Sequence, residues 1–195
     1  MNPIPRRERS RFGDRRGIAA LEFALVSPMA VLLMLVTADL GNFLRLRLDL
    51  DSTATVMANT VSQYSELYTG DFATLFAAAQ SIAGAAKVSG GTGCTIITGV
   101  VNSGSGPLVV WQQASSAASF CVSKFGAAGT VPVLPDGYAL PANSTLIAVE
   151  VYAPGTPWVL STAYMGTSAS QLQRGYALFQ ARTAILASIT PGNRP

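Results

Sequence analysis

The sequence predicts an α+β protein: a long N-terminal transmembrane helix that continues into a domain built on a small, mainly antiparallel sheet. Three observations predict it. Residues 18–38, IAALEFALVSPMAVLLMLVTA, form an apolar run of 21 residues with one charge, and a spanning helix needs about 20 residues at 1.5 Å each. Apolar residues then recur at helical spacing to about Tyr64. From Gly90 onward, short β-rich runs alternate with Gly/Ser-rich punctuation.

The chain of 195 residues divides into a basic leader (1–17), the membrane segment (18–38), an extracytoplasmic helical region (39–89) and a β-rich globular region (90–195). Six of the thirteen basic residues, Arg6, Arg7, Arg9, Arg11, Arg15 and Arg16, lie in the leader against Glu8 and Asp14. Seven basic and eight acidic residues remain beyond it. The formal charge of +3 is therefore local. An arginine-rich head directly before an apolar span reads as a topology signal that holds the N-terminus in the cytoplasm, in preference to a nucleic-acid arm. Only 12% of residues are charged, so Ser, Thr, Asn and Gln must serve the surface, as in secreted and cell-surface proteins. Pro28 lies inside the span, where a proline bends a membrane helix without ending it.

Beyond Asp39, the stretch LRLRLDLD (44–51) alternates strictly and superficially resembles a strand. A helix is expected instead. Its apolar residues are Leu and not β-branched, and Arg45–Asp49 and Arg47–Asp51 are i,i+4 pairs. Leu50, Ala54, Met57, Val61, Tyr64 and Tyr68 extend the same face. A second helix is expected after the break at Thr69-Gly70-Asp71, with Phe72, Leu75, Phe76, Ala79 and Ile82 as its apolar face. Strands are expected at 94–101, 107–113, 119–124 and 144–153, with Ile147, Val149 and Val151 on one side of the last. The apolar stretch 175–189 fits a strand or a helix, and its β-branched content favours a strand.

Several chemistries are excluded or disfavoured. With no histidine anywhere, neither a Ser-His-Asp nor a Cys-His site is possible, and two cysteines alone make no usual zinc site. No phosphate-loop motif is present, and GGTGC (90–94) does not open a helix. Glu150 stands alone in its strand and Asp136 sits in the turn PDGY, which reads as a strand-face charge and a turn residue. Trp111, Trp158, Tyr152 and Tyr164 suit either a carbohydrate platform or, more simply, an aromatic core. No enzyme, cofactor, metal or small-molecule substrate is expected, and no nucleic acid. Cys94 and Cys121 read as one disulfide in an exported domain, the alternative being two unrelated buried thiols.

Residues 1–38 admit three readings. A secretory signal peptide would use the small residues VTA before Asp39, but its apolar region should be 7–15 residues long. A plain signal anchor explains the arginines and the length and leaves Glu22 as an unexplained cost. The third reading is a prepilin-type signal. RRG|IAALEF resembles the site cut by prepilin peptidases, with Gly17 closing the leader, Ile18 opening the mature chain, and Glu22 and Phe23 at mature positions five and six. The wider stretch RRGIAALEFALVSPMAVLLMLVTADLGNFLRLRLDLDSTATVMAN resembles the start of TadE-like pseudopilins of the tight adherence (Tad) pilus. Pro28, Asp39, Gly41 and Asn42 match that family's interrupted span and the acidic residue and glycine after it.

The resemblance is close over about 45 residues and looser beyond. It implies a pilin-like fold and a minor pilin of the inner membrane, with prepilin peptidase, other pilins and pilus-assembly platform proteins as partners. It also gives Glu22 a purpose. Cleavage after Gly17 creates an α-amine on Ile18, one helical turn away, with which the carboxylate can pair. The competing expectation is a signal-anchored extracytoplasmic binding module, an adhesin or sugar-binding domain, unrelated to pili.

Overall fold

A helix of 48 residues, α1 (Arg15–Ser62), dominates the computed structural model, which describes residues 15–90, 92–135, 138–155, 171–182 and 188–194. At 1.5 Å per residue it is about 72 Å long. Pro28 lies inside it and does not end it. The LRLRLDLD stretch is helical, and the Arg47–Asp51 pair forms at 3.3 Å. The helix closes at Ser62, two residues before the expected end, where Gln63 and Tyr64 donate to Thr60 and Val61 in a tightened last turn.

Two halves of α1 differ in environment. Residues 18–45 are exposed almost throughout, whereas Leu50, Ala54, Met57, Ala58 and Val61 are buried at i, i+3 and i+4 spacing. Burying Leu50, Met57 and Val61 contributes about 1.5–3 kcal/mol apiece. A short helix, α2 (Asp71–Ala83), follows and buries Phe72, Leu75, Ala79 and Ala83. Phe76 is partly buried, and Ile82, expected on the inner face, is exposed because the chain turns inward through Ala83.

The sheet contains β1 (Cys94–Asn102), β2 (Pro107–Ala114), β3 (Ser144–Gly155) and β4 (Gln171–Gln180) in the order β2-β1-β3-β4, with every pairing antiparallel. Ile147, Val149, Val151 and Ala153 of β3 face the two helices, and Leu146 and Tyr152 face the other way. That second face is covered by parts of the long connection between β2 and β3, through Phe120, Cys121, Leu134 and Leu140. The result is an α+β, pilin-like arrangement: helices, sheet, then an irregular covering layer.

Local details follow from particular residues. Val110 is the extra residue of a bulge, since Gly99 pairs with Trp111 and Val100 with Val109. The bulge lets Val109 and Trp111 serve opposite layers, and the indole lies where a Cβ on Gly99 would be, edge-on to Phe72 at 5.9 Å. In β4, a Cβ on Gly175 would sit 2.6 Å from the Leu50 carbonyl carbon and 2.7 Å from the Asp51 nitrogen. The helix backbone therefore rests directly on the strand, and only glycine permits that approach.

Two expected strands are corrected. Residues 119–124 are not a strand, because their backbone donors are spent elsewhere: Cys121 N–H in a turn to Ala118, Lys124 N–H on the Glu150 carboxylate and Phe125 N–H on Ser123 Oγ. The stretch 175–189 is a strand only to Gln180. There Arg182 N–H leaves the ladder to donate to Ser62 of α1, and residues 183–187 lie outside those described. Segment 188–194 then runs against the α1–α2 turn. Thr69 N–H donates to the Thr190 carbonyl, Thr190 N–H to that of Leu67 and Gly70 N–H to that of Gly192, and Arg194 pairs with Asp71 at 3.2 Å.

Candidate functional site

The N-terminal candidate residues, Gly17, Ile18, Glu22 and Phe23, all lie on the first turns of α1 and all are exposed. Gly17 is inside the helix, and a Cβ added there meets nothing within 4 Å. Glycine costs a helix about 1 kcal/mol relative to alanine, so the protein's own packing gives no reason for it. The same is true of Gly41. By contrast, Gly93, Gly99 and Gly175 are each required by a close neighbour. Glycines explained by nothing inside the molecule belong to the part of α1 that touches none of its core.

Glu22 lies one turn beyond Ile18, about 6 Å along the axis. It is the single charged residue between positions 18 and 38. Among the described residues it forms no ion pair. This segment is long and apolar enough to cross a membrane by length and composition, and none of its most apolar window is buried within the protein. A single membrane anchor fits it.

On the covered side of the sheet, Cys94 of β1 and Cys121 form a disulfide with Cα atoms 5.7 Å apart, within the usual range. It pins the covering segment to the sheet beside a second feature the sequence reading missed. Glu150, read as a strand-face charge, is fully buried. Its Oε1 accepts from Arg174 Nε at 2.7 Å, the Tyr152 hydroxyl at 2.8 Å and the Lys124 backbone N–H at 3.0 Å, and Ser123 Oγ donates to Oε2. The Arg174 guanidinium lies against the rings of Phe125 and Tyr176, 4.9 and 4.6 Å from their centroids.

Burial, reinforced by the neighbouring Glu150 charge and hydrogen bond, holds the Tyr152 hydroxyl well above its ordinary pKa. These groups bind one another and tie the covering segment to two strands of the sheet: Ser123 and Lys124 from the covering segment, Glu150 and Tyr152 from β3, and Arg174 from β4. A signal for this cluster was present in the sequence. β3 is apolar on both faces, as a strand buried on both sides must be, so an acid within it needs a cation. Arg174 is the basic residue in β4.

Of the four aromatic residues considered for a sugar platform, Trp111 and Tyr152 are buried in the core. Trp158, Tyr164 and Asp136 lie outside the described residues. The structure brings the two cysteines together and places Glu22 and its neighbours on a separate, unpacked helix. Residues 17–58 match the family model described as TadE-like protein. No curated protein and no solved structure is detectably similar to the chain.

Proposed function

From a chain whose residues 17–58 are those of the TadE-like protein family, we propose a minor pilin of a Tad-type pilus and secretion apparatus, acting in pilus assembly and surface adhesion. The observation that carries this reading is that the family match lies wholly within α1 and takes in its entire uncovered apolar stretch. The family match covers the apolar half of α1 that the fold leaves unpacked, together with the turns that seat it on the sheet. A subunit whose family signature includes a long helix that its own fold leaves uncovered is built to place that helix among other molecules.

In this reading the arginine-rich leader stays in the cytoplasm and the β-rich domain stands outside the inner membrane. Prepilin peptidase cuts between Gly17 and Ile18, and the small Gly17 suits a narrow cleavage site. The new Ile18 amine and the Glu22 carboxylate then lie one turn apart and neutralise each other, within a subunit or between neighbours. This offsets the cost of holding either charge in a poorly hydrated setting. Phe23 stands beside them on the exposed surface. The partners are other pilins and the inner-membrane assembly platform.

N-terminal sequencing of the membrane-embedded protein tests the processing step. The mature chain should begin at Ile18, and a bulky residue at Gly17 should leave the precursor uncut. A mature start at Asp39 would mark an ordinary signal peptide and overturn the reading. Glu22→Gln keeps shape and removes charge, so it should be inserted and cleaved normally yet fail to support piliation. Normal piliation would remove the role given to Glu22.

A further inference from the structure

We infer that the free edge of β4 is a docking site for an extended segment of a partner polypeptide, which adds a fifth strand to the sheet and sets an acidic side chain beside Lys124. The two edges of the sheet differ. β2 is kinked by the bulge at Val110, and Gly129 and Thr130 lie along it: Gly129 N–H donates to the Val109 carbonyl and Val109 N–H to that of Thr130. Such devices stop an edge from pairing with another chain. β4 has none of them. It is ten residues long, in continuous register with β3, and free of proline and bulge. Its one charge, Arg174, is turned onto Glu150.

The ladder shows which backbone groups are free. Ala181 N–H donates to the Thr145 carbonyl, so these two form a hydrogen-bonded pair, and such pairs alternate along an antiparallel ladder. Gln173, Gly175, Ala177 and Phe179 therefore bond to β3, whereas Leu172, Arg174, Tyr176, Leu178 and Gln180 turn N–H and C=O outward. The next member of that outward row, Arg182, donates to Ser62 of α1. Among the described residues the rest of the row meets no backbone partner. An extended chain is the ligand that satisfies such a row of donors and acceptors.

Cavities flank the row on both sides, as the alternating side chains of an added strand require. On the α1 side about 370 Å³ is lined by Phe43, Arg47 and Gln173, and on the covering side about 230 Å³ is lined by Lys124, Phe125 and Leu134. Arg174 and Tyr176 line both. Two observations set the chemistry of the occupant. Gln173 Oε1 is buried without a hydrogen-bond partner, so a hydroxyl or amide donor belongs on the α1 side. Arg47 and Arg174 are matched by Asp51 and Glu150, but Lys124 forms no ion pair among the described residues. No acid lines its cavity, so a carboxylate belongs there. The β4 strand of a second copy does not fit. β4 runs beside α1 in the same direction, with Leu172 near Phe43 and Arg182 at Ser62. An antiparallel pair of β4 strands would therefore point the two anchors opposite ways, on the reading that residues 18–38 cross the bilayer. A parallel pair at one height would set identical donors level, where a parallel ladder staggers them.

The probe is an acetylated heptapeptide in which threonine alternates with valine, glutamate and valine, added to the full chain in detergent. Amide exchange, followed by nuclear magnetic resonance, reports each residue of β4. At about ten times its dissociation constant the peptide should slow exchange at Arg174 and Tyr176 about tenfold and leave β2 unchanged. Lysine in place of the glutamate should weaken binding about fivefold, the scale of one exposed charge pair, and Lys124→Ala should abolish that preference. N-methylation of two adjacent central residues removes a donor from each edge of the peptide and should abolish binding. No protection at millimolar peptide, equal binding of the N-methylated form, no charge preference, or a preference that survives Lys124→Ala would each overturn the assignment. Protection of the same amides in the chain alone, rising with its concentration, would give the edge to a second copy and overturn it too. None of these readouts depends on piliation, so this site and the pilin reading fail separately.

Discussion

Replacing Arg174 by methionine removes a charge and leaves most of the side chain's bulk, which isolates what the buried ion pair does. Glu150 has no exposed surface, and its counter-ion is only about a quarter exposed. Breaking such a pair from one side typically costs about 3–5 kcal/mol, because the remaining charge is stranded. Three donors would still reach the carboxylate, from Ser123, Lys124 and Tyr152, which argues for the lower end. Lost contacts with the Phe125 and Tyr176 rings add about 1 kcal/mol. A loss of about 4 kcal/mol is a large part of the 5–15 kcal/mol that holds an ordinary domain together. Glu150→Gln/Arg174→Met should recover more than half of it, since no charge is then buried. Urea unfolding of the detergent-solubilised chain, followed by fluorescence of the buried Trp111, measures both variants. A single-variant loss below about 1 kcal/mol, or strictly additive effects in the double variant, would refute the view that Glu150 depends on Arg174.

Gly175→Ala should destabilise the domain by about 1–3 kcal/mol through overpacking against the α1 backbone; an unchanged urea midpoint would mean the helix can lift from β4 without penalty. Removing the Cys94–Cys121 bridge by Cys94→Ser should lower stability by about 3–4 kcal/mol on the loop-entropy model, and thiol labelling of the denatured, unreduced protein should find no free sulfhydryl. The raised pKa of Tyr152 means that the folded protein holds this proton more tightly than the unfolded chain. Its contribution is complete below about pH 10, the unfolded value, and is lost as pH rises beyond it. Unfolding free energy should therefore fall above pH 10, and the fall should be shallower in Tyr152→Phe; identical slopes would exclude Tyr152 as its source.

What could be read from the sequence depended on whether a signal was local. The apolar face Leu50, Ala54, Met57 and Val61 is periodic within one element, so helix and core face were both legible, and the strict alternation in LRLRLDLD is outweighed by its unbranched leucines and i,i+4 Arg–Asp spacing. The β3 face of Ile147, Val149 and Val151 was legible for the same reason. Residues 119–124 were not, because a β-rich composition cannot reveal that Lys124 N–H is claimed by a carboxylate 26 positions away. Ile82 was misplaced by one step of helical phase, at a helix end where Ala83 carries the chain inward. Glu150 was misjudged because its partners come from three separate stretches of chain, although an acid between Val149 and Val151 was itself a local warning.

The seam between Thr69 and Gly192 joins positions 123 residues apart in the chain. On the proposed topology, the chain beyond the anchor would reach the exterior in order from residue 39 and present the greasy side of α1, from Leu50 to Val61, long before β4 and segment 188–194 arrive to cover it and lock the turn. During that interval the half-made domain would be held beside the bilayer by its own anchor, with an uncovered surface that neighbouring chains could capture. On that topology maturation would be a matter of timing: whatever delayed the final stretch of translocation would prolong the period in which the chain is most prone to aggregate or be degraded.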